Sequence, residues 1–407
     1  MHETSTASPH AAQTLSARHR TWILFALSLG GFAIGTSEFA SMGLMPNMAA
    51  ALGVNEPQVG HLISAYALGV VVGAPLLAIL GASWQRKRLL LALMGFYALG
   101  NLASALGPAY QHMLVFRFIA GLPHGAFFGV AALTAVAISP PDKRGQAVST
   151  IMMGLTLAIL LGTPLATWMG QAASWRWAYA AVAVVALATL ALLGKFMPAA
   201  IDGPKTKPLD ELRAFNRLPV WQALLIGAIG FAGLFCVFSY LAPTMLHVTG
   251  VSEKWIPLGL AGFGLGGVIG NIGGGWLFDR LRFRAVPVIL LGATAMLLLF
   301  PLAAGSLWTI LLATIAVGMM GALGPVLQSH LMDVAGDAQT LTAASHHAAF
   351  NAANALGPWL GGVAITAGLG WTSTGVVGAA TALAGVAIYL WAASTLRRPD
   401  REACVAT

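Results

Sequence analysis

Long apolar segments follow one another through most of this chain, each near the ~20 residues that an α-helix needs to cross the hydrocarbon core of a bilayer. A lipid-embedded segment must satisfy its own backbone groups, and at this length only a helix does so. Twelve such spans are read at 22–45, 57–80, 88–106, 110–136, 146–170, 175–195, 219–247, 256–279, 284–303, 306–333, 340–367 and 372–396. Of the residues, 58% are hydrophobic and 8% charged, with a mean hydropathy of +0.80, whereas a soluble domain carries about 25% charged residues. The 48 glycines suit helices that must approach closely, because apolar side chains gain little by leaving lipid for protein. The expected fold class is an all-α membrane protein of twelve transmembrane helices in two six-helix bundles.

The longest polar interruption, 196–218, holds Pro198, Gly203, Pro204, Pro208 and a run of charges. It divides the chain into an N-terminal tail (1–21), a first bundle (22–195), a linker (196–218), a second bundle (219–396) and a C-terminal tail (397–407). Lys and Arg concentrate in alternate loops, as at Arg86-Lys87-Arg88, Lys143-Arg144 and Arg280 to Arg284, while Arg176 and Lys254 stand in the others. By the positive-inside rule both termini and the linker are cytoplasmic. The net charge of +8 is spread over these short loops and does not point to nucleic acid. Cys236 and Cys404 form no disulfide framework and no metal spacing. No nucleotide-binding loop, metal cluster or nucleophile–base set is legible, so no cofactor is expected. The polar first 20 residues read as a tail rather than a cleavable signal.

The second half repeats the first. Gly69 and Gly73 precede the basic turn Gln85 to Arg88, and Gly266 and Gly270, each 197 residues later, precede Asp279-Arg280-Leu281-Arg282. Two facing halves of this kind place a substrate path between them near the midplane.

Two charges stand inside apolar spans, Glu38 and Arg117. An intramembrane charge costs at least ~2.5–3.5 kcal/mol, so such residues face an interior and carry ions, protons or ligands. From the rise of a helix, both lie about 10 Å below the outer surface, and a pair between them, direct or through water, is expected. Low dielectric penalises a carboxylate, which suits Glu38 to taking and releasing a proton; the alternative is a static anchor bonded to a neighbouring helix. Arginine stays charged and can tune a carboxylate without releasing a proton itself; the alternative is a structural arginine bonded to backbone carbonyls. His124 shares the face of Arg117 and is either a relay or a satisfied interior histidine. His347, Asn351 and Asn354 form a polar stripe on the eleventh span, available to a substrate or to a neighbouring helix; His346 lies off it. Gly162 and Pro164, like Gly357 and Pro358, mark bends or close packing, with or without a dynamic role.

Several of these segments resemble one family. The first span reads Gly35-Thr36-Ser37-Glu38-Phe39 and continues to Gly43-Leu44-Met45-Pro46; the fourth runs from Arg117-Phe118-Ile119-Ala120-Gly121 to His124-Gly125 and Gly129. The fifth carries Gly154, Gly162-Thr163-Pro164-Leu165 and Gly170; the eleventh carries Ala349-Phe350-Asn351 and Asn354-Ala355-Leu356-Gly357. In order and spacing over roughly 20–396, the chain resembles the major facilitator superfamily, within it the twelve-span drug:proton antiporters, and among those the sugar, arabinose and chloramphenicol efflux branch. The resemblance implies the major facilitator fold. It also supports proton coupling through Glu38, to which the reading of the residues adds Arg117 and His124, with solute contact at His347, Asn351 and Asn354. The superfamily's gating motif between the second and third spans has an aspartate where Ala82 stands here. Its second copy keeps Gly275, Asp279 and Arg280, so a latch is expected at Asp279 and Arg280, with Gly162 and Pro164 as hinge.

The expected activity is export of a small organic solute (a drug, sugar or nucleoside) against protons, about one per cycle. It would work by alternating access, as a monomer in a bacterial inner membrane. A proton-coupled importer or uniporter of the same fold is the near alternative; a membrane receptor, enzyme or channel is the distant one.

Overall fold

Among the described residues, the helices group into twelve long rods. The computed structural model describes residues 15–81, 83–140, 143–198, 217–335 and 339–396. Both expected tails beyond these limits, most of the linker and Ala82 lie outside the described residues. The rods are α1 (Ala17–Gly43, continued by Met45–Leu52), α2 (Glu56–Gly81), α3 (Arg86–Leu106), α4 (Tyr110–Ile138), α5 (Arg144–Ala172) and α6 (Trp175–Phe196). The later six are α7 (Leu218–Ser239, continued by Leu241–His247), α8 (Ile256–Leu281), α9 (Ala285–Ala303), α10 (Leu307–Val334), α11 (Gln339–Ala364) and α12 (Ser373–Leu396). Among the described residues, ten segments are long and apolar enough to span a membrane. One of them, Glu253–Ala303, is two rods joined at Arg282, whose φ of 52° turns the chain. The polar first half of α11 keeps it out of the ten.

The molecule is inverted relative to a soluble protein. Leu302, Ile272 and Trp308 are more than two-thirds exposed, while Arg117, Asn101, Ser37 and Asn354 are fully buried. Such a surface is stable only against lipid, and the polar interior is where one rod answers another.

The 197-residue repeat reappears in the packing. A Cβ on Gly69, Gly73 or Gly121 would strike the carbonyls of Phe118, Leu122 and Tyr66, locking α2 to α4. Gly266, Gly270 and Gly318 meet the carbonyls of Ile315, Met319 and Phe263 in the same way between α8 and α10, every residue 197 further on. Helix breaks repeat too. Pro46 follows the interruption of α1 at Leu44, and Pro243 follows that of α7 at Tyr240, because proline offers no N–H to the ladder and crowds the carbonyl four residues back.

Where the first six rods meet the last six, α2 runs along α11, α5 along α8 and α1 along α7. Ser64 Oγ donates to the Ala355 carbonyl at 2.7 Å, the backbone of Leu160 packs on Gly264, and Phe39 stacks near Phe235 and Phe238. A further set of cross-half bonds lies at the end away from the basic loops. Glu56 pairs with His247 at 3.3 Å, and Glu253 receives Asn47 at 3.5 Å on its carboxylate and Gln171 at 3.1 Å on its carbonyl. That end is sealed. At the basic end, Lys87 donates to the Gly194 carbonyl and Arg217 to the Val334 carbonyl, each within its own six rods.

Candidate functional site

Glu38 and Arg117 occupy one neighbourhood but do not pair. Both are buried, yet among the described residues the ion pair within reach is His247 with Glu56. The Arg117 guanidinium instead donates to Ser37 Oγ at 3.0 Å and to the Ser37 carbonyl at 2.9 Å. It lies 4.3 Å from the centre of the Tyr66 ring and 5.0 Å from that of Tyr179. Of the expected pair, direct or through water, the direct form is therefore corrected. Equal depth brought the two residues to one layer, but the guanidinium bonds to the residue before the carboxylate, on another face of α1. A desolvated cation over aromatic rings gains about 2 kcal/mol, and two charge-assisted bonds add to that, so Arg117 is held without an acid.

Polar bonds extend from this arginine through the first six rods. Ser37 Oγ donates to Asn101 Oδ1, Asn101 Nδ2 donates to the Tyr97 carbonyl, and Tyr97 Oη donates to the Ile34 carbonyl at 3.2 Å. Tyr66 Oη lies 3.2 Å from Tyr97 Oη and 3.1 Å from His124 Nδ1. His124 is thus joined to the cluster of Arg117 through Tyr66. Sequence reading passed over Ser37, Tyr66, Tyr97, Asn101 and Tyr179. Asn101 was the visible clue, an amide inside an apolar span; tyrosines give no such signal, because their rings read as core.

Glu38 points across the molecule. Asn354 Nδ2 donates to its Oε1 at 2.9 Å, tying α1 to α11 between the halves. The stripe of α11 is present as a face. His347 stacks on Phe128 of α4 with ring centres 5.7 Å apart and planes 11° apart, and one turn later Asn351 Nδ2 donates back to the His347 carbonyl at 3.0 Å. His346 lies beside this face against His347 and Phe350. Two amide oxygens of the stripe, Asn351 Oδ1 and Asn354 Oδ1, are buried without a protein partner.

The hinge and latch residues fall elsewhere. Pro164 follows a π-helical turn, Ala158–Gly162, where the widened ladder absorbs the donor that proline lacks. A side chain on Gly162 would meet Thr36 and Phe32 of α1, so this glycine sets how closely α1 and α5 approach. Asp279 is exposed and makes no ion pair among the described residues, while Arg280 stacks 4.0 Å over Trp276 on its own helix.

Comparison with known proteins places this architecture. Residues 27–345 match the family model described as Major Facilitator Superfamily. An Escherichia coli protein named "Inner membrane transport protein YdhP" is 37% identical over 94% of this chain and 98% of its own length. The "Chloramphenicol resistance protein" of Streptomyces lividans is 34% identical over 82% of this chain and 87% of its own. Among solved structures, a bacterial homologue of the human lysosomal transporter Spinster, inward-facing and unoccupied, superposes with a TM-score of 0.72. It has 16% identity and covers 94% of this chain and 98% of that one, a likeness of fold. The chain is a multi-pass membrane transporter, not an enzyme, and it belongs to the major facilitator superfamily.

Proposed function

We propose that this transporter exports a small organic solute in exchange for protons, by rocking its halves 22–195 and 219–396 about a site between them. The chain works as a monomer in a bacterial inner membrane, with both termini and the linker cytoplasmic. The carrying observation is the bond from Asn354 to Glu38, a buried carboxyl tied across the two halves. An ionised carboxylate accepts such a bond about twice as strongly as a neutral one, so taking up a proton loosens a link between the halves. Losing the proton restores it. Arg117 and the Tyr66–His124 bond maintain the polar wall behind Glu38.

We take the orientation from the basic loops, which puts the end bonded across the halves on the outer side. Export as the direction is supported by the name of the relative that confers chloramphenicol resistance. The membrane potential supplies ~2.3 kcal/mol per charge per 100 mV, and one titrating carboxyl in the seam fits about one proton per cycle.

Glu38→Gln tests the reading, because glutamine keeps an acceptor for Asn354 and cannot titrate. In everted vesicles the variant is expected to lose pH-gradient-driven accumulation while retaining solute counterflow. Undiminished proton-driven accumulation would remove Glu38 from the mechanism, and accumulation in right-side-out vesicles alone would reverse the direction.

A further inference from the structure

A cleft far from the seam opens where the first turn of α1 meets the last turn of α6. It measures about 500 Å³ and is lined by Arg18, His19 and Trp22 of α1 and by Leu192, Lys195 and Phe196 of α6. Helical spacing puts each trio on one face, since 18 and 22, like 192 and 196, are a turn apart. Trp22 stacks on Phe196 with ring centres 5.3 Å apart and planes 8° apart, which joins the two helices. His19 meets the edge of the Phe196 ring, and the Lys195 ammonium stands 5.3 Å from its centre.

Positive charge gathers here without an acid. No carboxylate lines the cleft, and among the described residues neither Arg18 nor Lys195 makes an ion pair. Lys195 suits the C-terminal turn of its helix, where the backbone dipole favours a cation. Arg18 does not: it stands in the first turn of α1, which holds no acidic residue and where the dipole disfavours a cation. His19 keeps Nδ1 on Ser16 Oγ at 2.9 Å, so Nε2 is the nitrogen left to a ligand. The position selects the kind of anion. Both helices end at this level, the depth of lipid headgroups, where tryptophan is favoured. One turn further into the membrane, Phe25 meets Trp22 edge-on and is 48% exposed. A charged rim thus passes directly into apolar, lipid-facing surface.

We propose that this cleft binds an anionic glycerophospholipid of the cytoplasmic leaflet, with its phosphate at Arg18, His19 and Lys195 and its acyl chains against Phe25 and Leu192. The leaflet rests on the orientation proposed above. A guanidinium takes phosphate oxygens in pairs and an ammonium adds a point charge, and basic pockets between membrane helices on this side suit such headgroups. A soluble anion would leave the apolar part of the surface uncovered.

The full chain in detergent is titrated with three probes: phosphatidylglycerol, phosphatidylcholine of the same acyl chains, and glycerol 3-phosphate, a head without chains. Thermal stabilisation gives the affinity of each. Phosphatidylglycerol is expected to bind at least about tenfold more tightly than either of the others. Arg18→Gln with Lys195→Gln should bring the two lipids to within about threefold of each other; both positions are exposed, so the fold is spared. Lys143→Gln with Arg144→Gln removes the same charge from another exposed loop and should keep the preference. Equal binding of the two lipids by the parent, a preference retained in the cleft variant, or an equal loss in the matched variant would overturn the proposal. Glycerol 3-phosphate binding as tightly as the lipid would overturn it in favour of a soluble anion. The titration is blind to leaflet and to transport, so an inverted orientation or a failed export assay leaves its result unchanged.

Discussion

At the scale of single residues, the two intramembrane charges behave differently because their side chains differ in what can satisfy them. A guanidinium carries five donors in a flat fork, and within one half the Ser37 hydroxyl and carbonyl take its two terminal nitrogens while two tyrosine faces cover its plane, leaving Nε without a protein partner. A carboxylate only accepts, and Glu38 finds its donor in Asn354 of the other half. On the proposed function, Arg117 fixes the wall and Glu38 is the residue whose bond changes between states. Arg117→Lys keeps the charge but loses the fork and most of the stacking, so it is expected to lower the stability of the solubilised protein by about 2 kcal/mol. Glu38→Gln should leave stability near that of the parent. Thermal unfolding of the two variants side by side checks both. Parent-like stability in Arg117→Lys, with proton-driven transport abolished, would return the arginine to the coupling step.

At the scale of elements, close helix contact is set by glycines whose missing side chains admit a neighbour's carbonyl. Gly121 and Gly129 lie on the same helix and differ in this respect: a Cβ on the first would strike the Tyr66 carbonyl, and on the second would meet nothing within 4 Å. Gly121→Ala is expected to destabilise by roughly 1–3 kcal/mol through overpacking of α2 against α4. Gly129→Ala should be neutral or gain up to about 1 kcal/mol from helix propensity. Gly318→Ala should match Gly121→Ala, because it meets the Phe263 carbonyl at the equivalent place between α8 and α10. Apparent melting temperatures of the three variants decide this, and equal effects at Gly121 and Gly129 would contradict the packing described.

At the scale of the whole molecule, the polar bonds seen between the halves among the described residues lie mid-seam or at the end away from the basic loops. Glu56 with His247, and Glu253 with Asn47 and Gln171, are exposed or half-exposed contacts. Each contributes little, on the order of 0–1 kcal/mol, which suits a seal that must open. Weakening them together should shift the population toward the conformation open at this end. Ser64→Cys provides a reporter beneath the seal, where Ser64 meets the Ala355 carbonyl. In intact cells, a membrane-impermeant maleimide is expected to label it several-fold faster when Glu56→Gln and Glu253→Ala are added. Unchanged labelling would mean that apolar packing alone, as between Phe39 and Phe238, holds the seal.

Hydropathy and charge determined that this chain is a bundle of membrane helices, because in lipid the only stable answer to long apolar segments is a set of helices that satisfy their own backbones. The resemblance in motif order matched the superfamily that the family model and relatives then established. The 197-residue repeat was legible in the glycines, since a missing side chain is a property of the sequence itself. Depth was legible too, because helix rise converts residue number into distance, and it placed Glu38 and Arg117 in one layer. Partner choice was not. Which face each helix presents depends on rotations set by all the neighbouring contacts, and a modest turn of α1 directs Ser37 to Arg117 and Glu38 to Asn354. Tyrosines 66, 97 and 179 and the seal at Glu56 and Glu253 became visible only once packing brought together residues far apart in the chain. Tertiary structure alone assigned the two amide oxygens to the seam, because an unsatisfied acceptor is defined by what surrounds it.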